Sequence, residues 1–154
     1  MRLLVLQHAR IEHPAALRPL LAAAGHVMDQ VCLDEGATLP SLDGYDALWV
    51  MGGPQNVWQE DVYPWLAPEK ALIREAVVER GMPYLGLCLG HQLLADALGG
   101  QVGPGTPEIG VEHVRLTGAG ARDPLLAGLP ESFEALQWHG AGVTRLPEGA
   151  RVLA

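Results

Sequence analysis

Short continuous apolar runs recur along the chain, and segments with helical spacing lie between them. Runs at residues 3–6, 47–51 and 84–87 contain no charged side chain. Such runs are typical of parallel strands that helices cover on both faces. We therefore predict three central, parallel strands in this part of the chain.

Three helices are predicted between and after these strands. The first is indicated by four apolar residues at helical spacing: Leu17, Leu20, Leu21 and Ala24. Because proline is tolerated only in a first turn, Pro19 places the start of this helix near Arg18. A second helix is expected from about Pro68 to Gly81 and a third over residues 90–98, where glycines end both.

The pattern changes after Gly100, where shorter apolar segments alternate with residues typical of turns. Residues 111–116 and 132–138 are predicted strands, with turns at 103–107 and 117–123. We expect them to be antiparallel additions at one edge of the sheet. The whole pattern predicts a three-layer, doubly wound α/β fold with helices on both faces of a mainly parallel sheet. In such a fold the ligand site lies at the carboxyl ends of the parallel strands.

The composition narrows the class of protein. Residues 1–154 have the length of one domain, and we predict a single domain. Ten Lys and Arg against 18 Asp and Glu give a formal charge of −8, which disfavours nucleic acid as a partner. No apolar run is long enough for a membrane span, so no membrane association is expected. Two cysteines and no signal-peptide pattern favour a cytoplasmic protein.

One of the two cysteines lies in a pattern typical of a catalytic nucleophile. Cys88 follows the third apolar run, has Gly86 and Gly90 two residues away on either side, and precedes an apolar helix. This G-x-nucleophile-x-G turn holds the nucleophile in strained backbone geometry above the sheet. The helix N-terminus is expected to favour the reactive thiolate. The alternative is a buried structural cysteine, which is our interpretation of Cys32.

A glycine pair directly follows the second apolar run. Gly52 and Gly53 allow backbone N–H groups to approach a ligand closely, and Pro54 stiffens the turn. An oxyanion hole could use the N–H groups of Gly53 and of Leu89, the residue after the cysteine. A Gly-Gly-Pro sequence alone is more often a simple turn. Its combination with the cysteine motif favours the functional interpretation.

Together with further segments, these residues make the chain resemble a class I glutamine amidotransferase domain, close to the stand-alone proteins related to the amidotransferase half of GMP synthase. The segments span nearly the whole chain: residues 51–57, 63–65, 86–92, 94–100, 108–110, 137–140 and 146–150. The resemblance implies a flavodoxin-like fold and hydrolysis of the side-chain amide of glutamine or of a γ-glutamyl compound. It implies no cofactor.

The resemblance also implies a role for each matched residue. Cys88 would attack the amide carbon and form a thioester, while the amides of Gly53 and Leu89 hold the oxyanion and ammonia leaves. Water would then cleave the thioester. Family members often pass ammonia to a synthase domain, which this sequence does not contain. A separate synthase subunit is therefore a possible partner.

The substrate would be held mostly by backbone. The resemblance makes Gln92 a contact of the bound glutamine, with the Gly52 backbone beside it. Residues 138–141 align with a family loop that borders the substrate, so His139 and Gly140 are further candidates.

One part of the family pattern has no match. The catalytic base of the family is a histidine followed two residues later by a glutamate, in a segment beyond the stretch that residues 151–154 resemble. His139 is not that histidine, because the family motif continues His-Gly-Asp and Ala141 replaces the acid. We therefore expect that further residues follow Ala154 in the native chain.

The six histidines offer few substitutes for this base, and three hypotheses remain. His8 is expected at the surface near the site rim and His91 in packing, whereas His139 could serve as a base. No histidine pair has metal-ligand spacing, so no metal is predicted. The hypotheses are an amidohydrolase completed by a His-x-Glu segment, a pseudoenzyme that binds or regulates, and a cysteine hydrolase with a Cys88/His139 dyad.

Overall fold

The chain divides into two units, Met1–Gly99 and Gly100–Ala154, in a computed structural model that describes all residues from 1 to 154. The first unit contains a parallel sheet with helices. The second contains a long antiparallel hairpin with short helical turns. That residues 1–154 act as one domain stays a prediction.

Four parallel strands form the sheet of the first unit. They are β1 (Arg2–Gln7), β2 (Val27–Cys32), β3 (Ala47–Val50) and β4 (Tyr84–Gly86). Their order is β2-β1-β3-β4, and Leu3 lies opposite Met28 on one side and Ala47 on the other. The three predicted strands and their parallel pairing are confirmed, but β4 was wrongly predicted to be central, because it pairs only with β3 and lies at an edge of the sheet. The edge strand β2 was not predicted, because Asp29 and Gln30 interrupt its apolar pattern.

Three α-helices belong to this unit: α1 (Leu17–Ala23), α2 (Leu66–Arg74) and α3 (Leu89–Ala97). A π-helical turn, Glu75–Glu79, extends α2 to the predicted end at Gly81, whose φ is +61°. The helix α1 forms where predicted, but it buries none of its residues, and Leu20 is 64% exposed. Its leucine spacing therefore indicates the helix without indicating a core face.

The connections place helices on both sides of the sheet. From β1 the chain passes through α1 to β2 in one direction, whereas from β3 it passes through α2 to β4 in the other. Because such crossovers are right-handed, the two helices cover opposite faces. The strand order reverses between β1 and β3, so the crevice at the carboxyl ends of these strands is the expected ligand site.

The core of the first unit lies in the sheet and under α2 and α3. Its fully buried side chains include Leu4, Leu6, Leu48, Leu66, Ile73 and Leu93. The helices α2 and α3 pack against each other, and α3 also packs on β4. This packing makes the carboxyl ends of β1, β3 and β4 a rigid platform for the loops that follow them.

The second unit is built on one antiparallel pair, β5 (Gln101–Arg115) and β6 (Ser132–Arg145). Both strands are longer than predicted, and residues 103–107 lie inside β5 instead of forming a turn. The ladder tolerates this segment through a register irregularity between Pro104 and Glu108. Short 3₁₀ turns, Gly120–Arg122 and Pro124–Leu126, follow the first strand.

The predicted α/β class is therefore confirmed: a parallel sheet with helices is joined in sequence to a small antiparallel sheet. The expectation that the antiparallel strands extend one edge of the parallel sheet is wrong, because they pair with each other and form a sheet of their own. None of the helices has the length and apolar character required to cross a membrane.

Candidate active site

Cys88 lies at the sharp turn between β4 and α3. Its backbone has φ +50° and ψ −105°, a strained conformation for a residue with a side chain. Added Cβ atoms show why both neighbours are glycine: one at Gly86 would lie 2.6 Å from the Gly90 carbonyl carbon, and one at Gly90 would collide with the Val50 carbonyl oxygen. The Tyr84 hydroxyl donates to the Gly90 carbonyl oxygen at 2.8 Å. Strand, turn and helix thus hold Cys88 in this geometry.

The sulfur of Cys88 does not have the lowered pKa that the helix N-terminus led us to expect. The side chain reaches solvent, but partial burial raises the pKa of the thiol. The Leu89 backbone N–H lowers the pKa of this thiol, while the negative charge of Glu12 raises it, and the net direction is upward. The predicted preference for thiolate is therefore wrong, because one N–H group does not offset burial and a nearby carboxylate.

The Gly52–Gly53 turn lies directly against this cysteine. An added Cβ at Gly52 would lie 2.9 Å from a Glu12 carboxylate oxygen and 3.6 Å from the Cys88 Cβ atom. One at Gly53 would lie 3.0 Å from Leu89 Cδ2. The structure therefore brings together the three residues proposed for the nucleophile and its oxyanion hole, Cys88, Gly53 and Leu89, with Gly52 beside them. Their catalytic roles stay predictions.

Behind the turn lies a buried acid–base pair that the sequence did not reveal. His8, expected at the surface, is 1% exposed. Its Nε2 lies 2.8 Å from Glu69 Oε1, its Nδ1 lies 3.1 Å from the Gly52 carbonyl oxygen, and both side chains are fully buried. The Gln55 amide donates to the His8 carbonyl oxygen at 2.9 Å. The surface prediction was wrong because His8 directly follows the most buried strand.

The pair sets the ionisation of His8. Burial lowers the pKa of this histidine, whereas the hydrogen bond and the charge of Glu69, with the Gly52 and Met51 carbonyl oxygens, raise it. The net pKa lies above the usual value of 6.5. The surroundings of His8 therefore stabilise its protonated form relative to that of an ordinary histidine.

A signal for the pair was present on α2. Glu69 shares a stripe at helical spacing with Leu66, Ile73 and Ala76, and all four are buried. A lone acid in such an apolar stripe predicts a buried carboxylate that needs a partner. Glu12 gave no comparable signal, because it is an exposed residue of an irregular loop.

Gln92 and His91 follow Cys88 on α3. Gln92 is buried, and its backbone N–H donates to the Cys88 carbonyl oxygen at 3.1 Å. His91 is exposed, and partial burial of its ring lowers its pKa. Gln92 therefore lies one helical turn from the cysteine, in the same unit, and its contact with substrate stays a prediction.

The two remaining candidates, His139 and Gly140, lie in the second unit. Both belong to β6, where His139 is paired in register with Glu108. The His139 Nε2 atom is 3.2 Å from Glu108 Oε2. Roles for these residues in substrate binding stay predictions. No group of three or more His, Cys, Asp or Glu side chains is placed to hold a metal ion.

Comparisons with known proteins give one consistent result. The family model described as "Glutamine amidotransferase class-I" matches residues 20–154. The chain is 40% identical over 107 residues to a GMP synthase (glutamine-hydrolyzing) of Streptococcus thermophilus. It is 34% identical over 128 residues to one subunit of a GMP synthase (glutamine-hydrolyzing) of Sulfolobus acidocaldarius. It resembles the crystal structure of a glutamine amidotransferase from Thermotoga maritima with a TM-score of 0.86 and 29% identity.

These relatives are longer than this chain. The matches cover 67% of the chain and 18% of the Streptococcus enzyme, and 82% of the chain and 63% of the Sulfolobus protein. The Thermotoga match covers 96% of the chain and 64% of the crystallised protein.

Proposed function

Because the chain belongs to the class I glutamine amidotransferase family, we propose that it hydrolyses the side-chain amide of glutamine or of a γ-glutamyl compound, with Cys88 as the nucleophile. The observation that carries this proposal is the strained, glycine-flanked Cys88 beside the Gly52–Gly53 turn. A strained nucleophile between backbone N–H groups is suited to acyl transfer.

The proposed reaction uses the Cys88 sulfur as the nucleophile and two backbone N–H groups as hydrogen-bond donors. Cys88 Sγ forms a bond to the amide carbon, and the carbonyl oxygen becomes an oxyanion held by the N–H groups of Gly53 and Leu89. The carbon–nitrogen bond then breaks as nitrogen takes up a proton and leaves as ammonia. Water cleaves the remaining thioester, which yields a carboxylate and restores the thiol.

The reaction also needs a base, because burial and Glu12 raise the pKa of the Cys88 thiol. The resemblance assigns this role to a His-x-Glu pair that the 154 residues do not match. His139, with Glu108 beside it, is the alternative base. His139→Gln abolishes turnover if this residue is the base and leaves the rate unchanged if the family pair supplies it.

A catalytically incomplete domain that binds a γ-glutamyl compound is the second candidate. The raised pKa of the Cys88 thiol favours it, since a protonated thiol is a poor nucleophile. Such a domain would bind the ligand without releasing ammonia.

For an active domain, the ammonia goes either to a separate synthase partner or to solution as product. The Sulfolobus relative is named as one subunit of its GMP synthase, which supports the first destination. A cytoplasmic location fits both.

The test compares two single-cysteine replacements. Cys88→Ala should abolish ammonia release from glutamine, and it should abolish labelling by a chloroketone analogue of glutamine, whose chloride a thiol displaces. Cys32→Ala is the matched control and should retain both, because Cys32 ends β2 at the sheet edge. Equal ammonia release from the two variants contradicts the proposal. The absence of both ammonia release and selective labelling of Cys88 over Cys32 supports the incomplete domain.

A further inference from the structure

The buried His8–Glu69 pair lies directly behind the proposed oxyanion donor. Both side chains are fully buried, although removing a charged pair from water is costly. Replacing such pairs with apolar residues is often neutral or stabilising. Stability alone is therefore a weak explanation for the pair, and its contacts suggest a more specific one.

The contacts of His8 determine which of its ring nitrogens carries a hydrogen. The Gly52 carbonyl oxygen can only accept, so the His8 Nδ1 atom that lies 3.1 Å away must carry the hydrogen. If His8 is charged, its Nε2–H donates to the Glu69 carboxylate. If Glu69 holds the proton instead, it donates to Nε2. Both arrangements leave Nδ1–H as the donor, so Glu69 fixes which ring nitrogen faces Gly52.

The hydrogen bond from His8 restrains the peptide between Gly52 and Gly53. The Gly52 carbonyl and the Gly53 N–H belong to one planar unit, and the chain has no cis peptide bond. They therefore point in opposite directions from the same plane. A hydrogen bond that holds the carbonyl oxygen also fixes the direction of the N–H. Because two adjacent glycines allow this plane to rotate easily, such a restraint matters here.

The backbone of His8 also restrains the Gly52–Gly53 turn. An added Cβ at Gly53 would lie 2.8 Å from the His8 Cβ atom, so His8 packs closely against Gly53. The Gln55 side chain returns from the turn to the His8 carbonyl oxygen. The turn is thus held at its carbonyl, at its backbone and at the residue that follows Pro54.

We infer that His8 and Glu69 are positioning residues that lock the Gly52–Gly53 peptide so that its N–H serves as an oxyanion donor. This inference rests on the proposed function, since it gives a purpose to the Gly53 N–H.

The test distinguishes an effect on the oxyanion donor from an effect on the stability of the fold. In the double variant His8→Leu/Glu69→Leu both charges are removed together, so no unpaired buried charge remains. Two reagents are compared at Cys88. The chloroketone analogue of glutamine places a carbonyl in the oxyanion hole, whereas iodoacetamide reports only the accessibility and reactivity of the thiol.

We expect the double variant to unfold at the same or a higher temperature than the wild type. Its rate of chloroketone labelling should fall at least about tenfold, since losing one oxyanion donor costs about a hundredfold or more in turnover. Its rate of iodoacetamide labelling should stay within about twofold. A role in stability alone would not move the ratio of the two rates in a folded variant.

A matched control comes from the second unit. His113 and Glu134 also form a histidine–glutamate pair across two strands, but this pair is exposed, with 3.8 Å between Nε2 and Oε1. The double variant His113→Leu/Glu134→Leu should keep the wild-type ratio of the two labelling rates.

The single variant Glu69→Gln covers the case in which the double variant does not fold. A glutamine amide donates or accepts equally well, so it no longer selects one ring nitrogen of His8. Its chloroketone rate should fall about threefold, a fraction of the effect of a lost donor, at an unchanged iodoacetamide rate.

The outcomes distinguish this inference from the proposed function. If wild-type Cys88 reacts no more selectively with the chloroketone than Cys32 does, the proposed function fails and the inference fails with it. If the wild type is selective and the folded variants keep the wild-type ratio, only the inference is overturned.

Discussion

At the residue scale, Glu12 acts on Cys88 through its charge. The carboxylate raises the pKa of the thiol, so Glu12→Gln should lower that pKa and increase the thiolate fraction at neutral pH. We expect the rate of iodoacetamide labelling at Cys88 to rise roughly twofold, as expected for a partly screened charge. The pH profile of this labelling rate should shift to lower pH in Glu12→Gln.

The control for this prediction is Glu79→Gln, which removes the same charge from an exposed residue of the first unit. An unchanged profile for Glu12→Gln, or the same shift in both variants, would contradict a direct effect of Glu12 on the thiol.

The residues that could be predicted are those whose chemistry depends on local sequence. Cys88 and its glycines form a turn whose geometry four or five consecutive residues determine. The raised pKa of Cys88 could not be predicted, because it results from burial and from Glu12, which lies in a loop far away in sequence. The raised pKa of His8 depends likewise on Glu69, sixty-one residues later.

At the scale of elements, helical spacing predicts helices better than it predicts burial. Leu20 on α1 is 64% exposed, whereas Leu93 on α3 is fully buried. Leu93→Ala should therefore lower the free energy of unfolding by about 2–5 kcal/mol. Leu20→Ala, the same substitution at an exposed position, should change it by less than about 0.5 kcal/mol. Chemical unfolding of the two variants checks this, and equal losses would contradict the assignment of α1 as a surface helix.

The strands show the same limit of local pattern. The central strands β1 and β3 are largely buried, so their apolar runs are clear, and the apolar run of the short edge strand β4 was also recognised. The edge strand β2 carries polar residues and escaped prediction. In β5, Gly103 and Pro104 have the composition of a turn, yet pairing with Gly142 and Ala141 of β6 holds them in the ladder. Partner strands distant in sequence decided both cases.

At the scale of the whole molecule, the buried pair links stability to pH. The raised pKa of His8 means that its contribution to stability is complete below about pH 6.5 and is lost as pH rises through the raised value. The free energy of unfolding of the wild type, measured relative to that of His8→Leu/Glu69→Leu, should therefore decrease as pH rises. One proton limits the slope to about 1.4 kcal/mol per pH unit.

Urea unfolding at about pH 6 and about pH 9 measures this dependence, since these values lie on either side of an ordinary or moderately raised histidine pKa. The charged group that faces the ring is the Glu69 carboxylate. A constant difference between the two proteins would contradict a charged His8. The exposed pair variant His113→Leu/Glu134→Leu is the control.

Only part of the organisation of the whole molecule could be predicted from the sequence. The α/β class follows from alternating strands and helices, which each segment carries by itself. The division into the units Met1–Gly99 and Gly100–Ala154 depends on which segments pack together, and no local pattern encodes that. A net charge of −8 excludes partner classes without selecting a substrate.

The positive φ of Cys88 has a consequence for how this family member could be engineered. Glycine adopts φ +50° without strain, so Cys88→Gly should be more stable than Cys88→Ala by about 1 kcal/mol. Melting temperatures of these two variants would show it, and equal values would mean that the turn stores no strain. If the strain is present, a laboratory selection for heat resistance alone would favour the loss of Cys88. A selection for heat resistance in this protein must therefore also require the proposed catalytic activity.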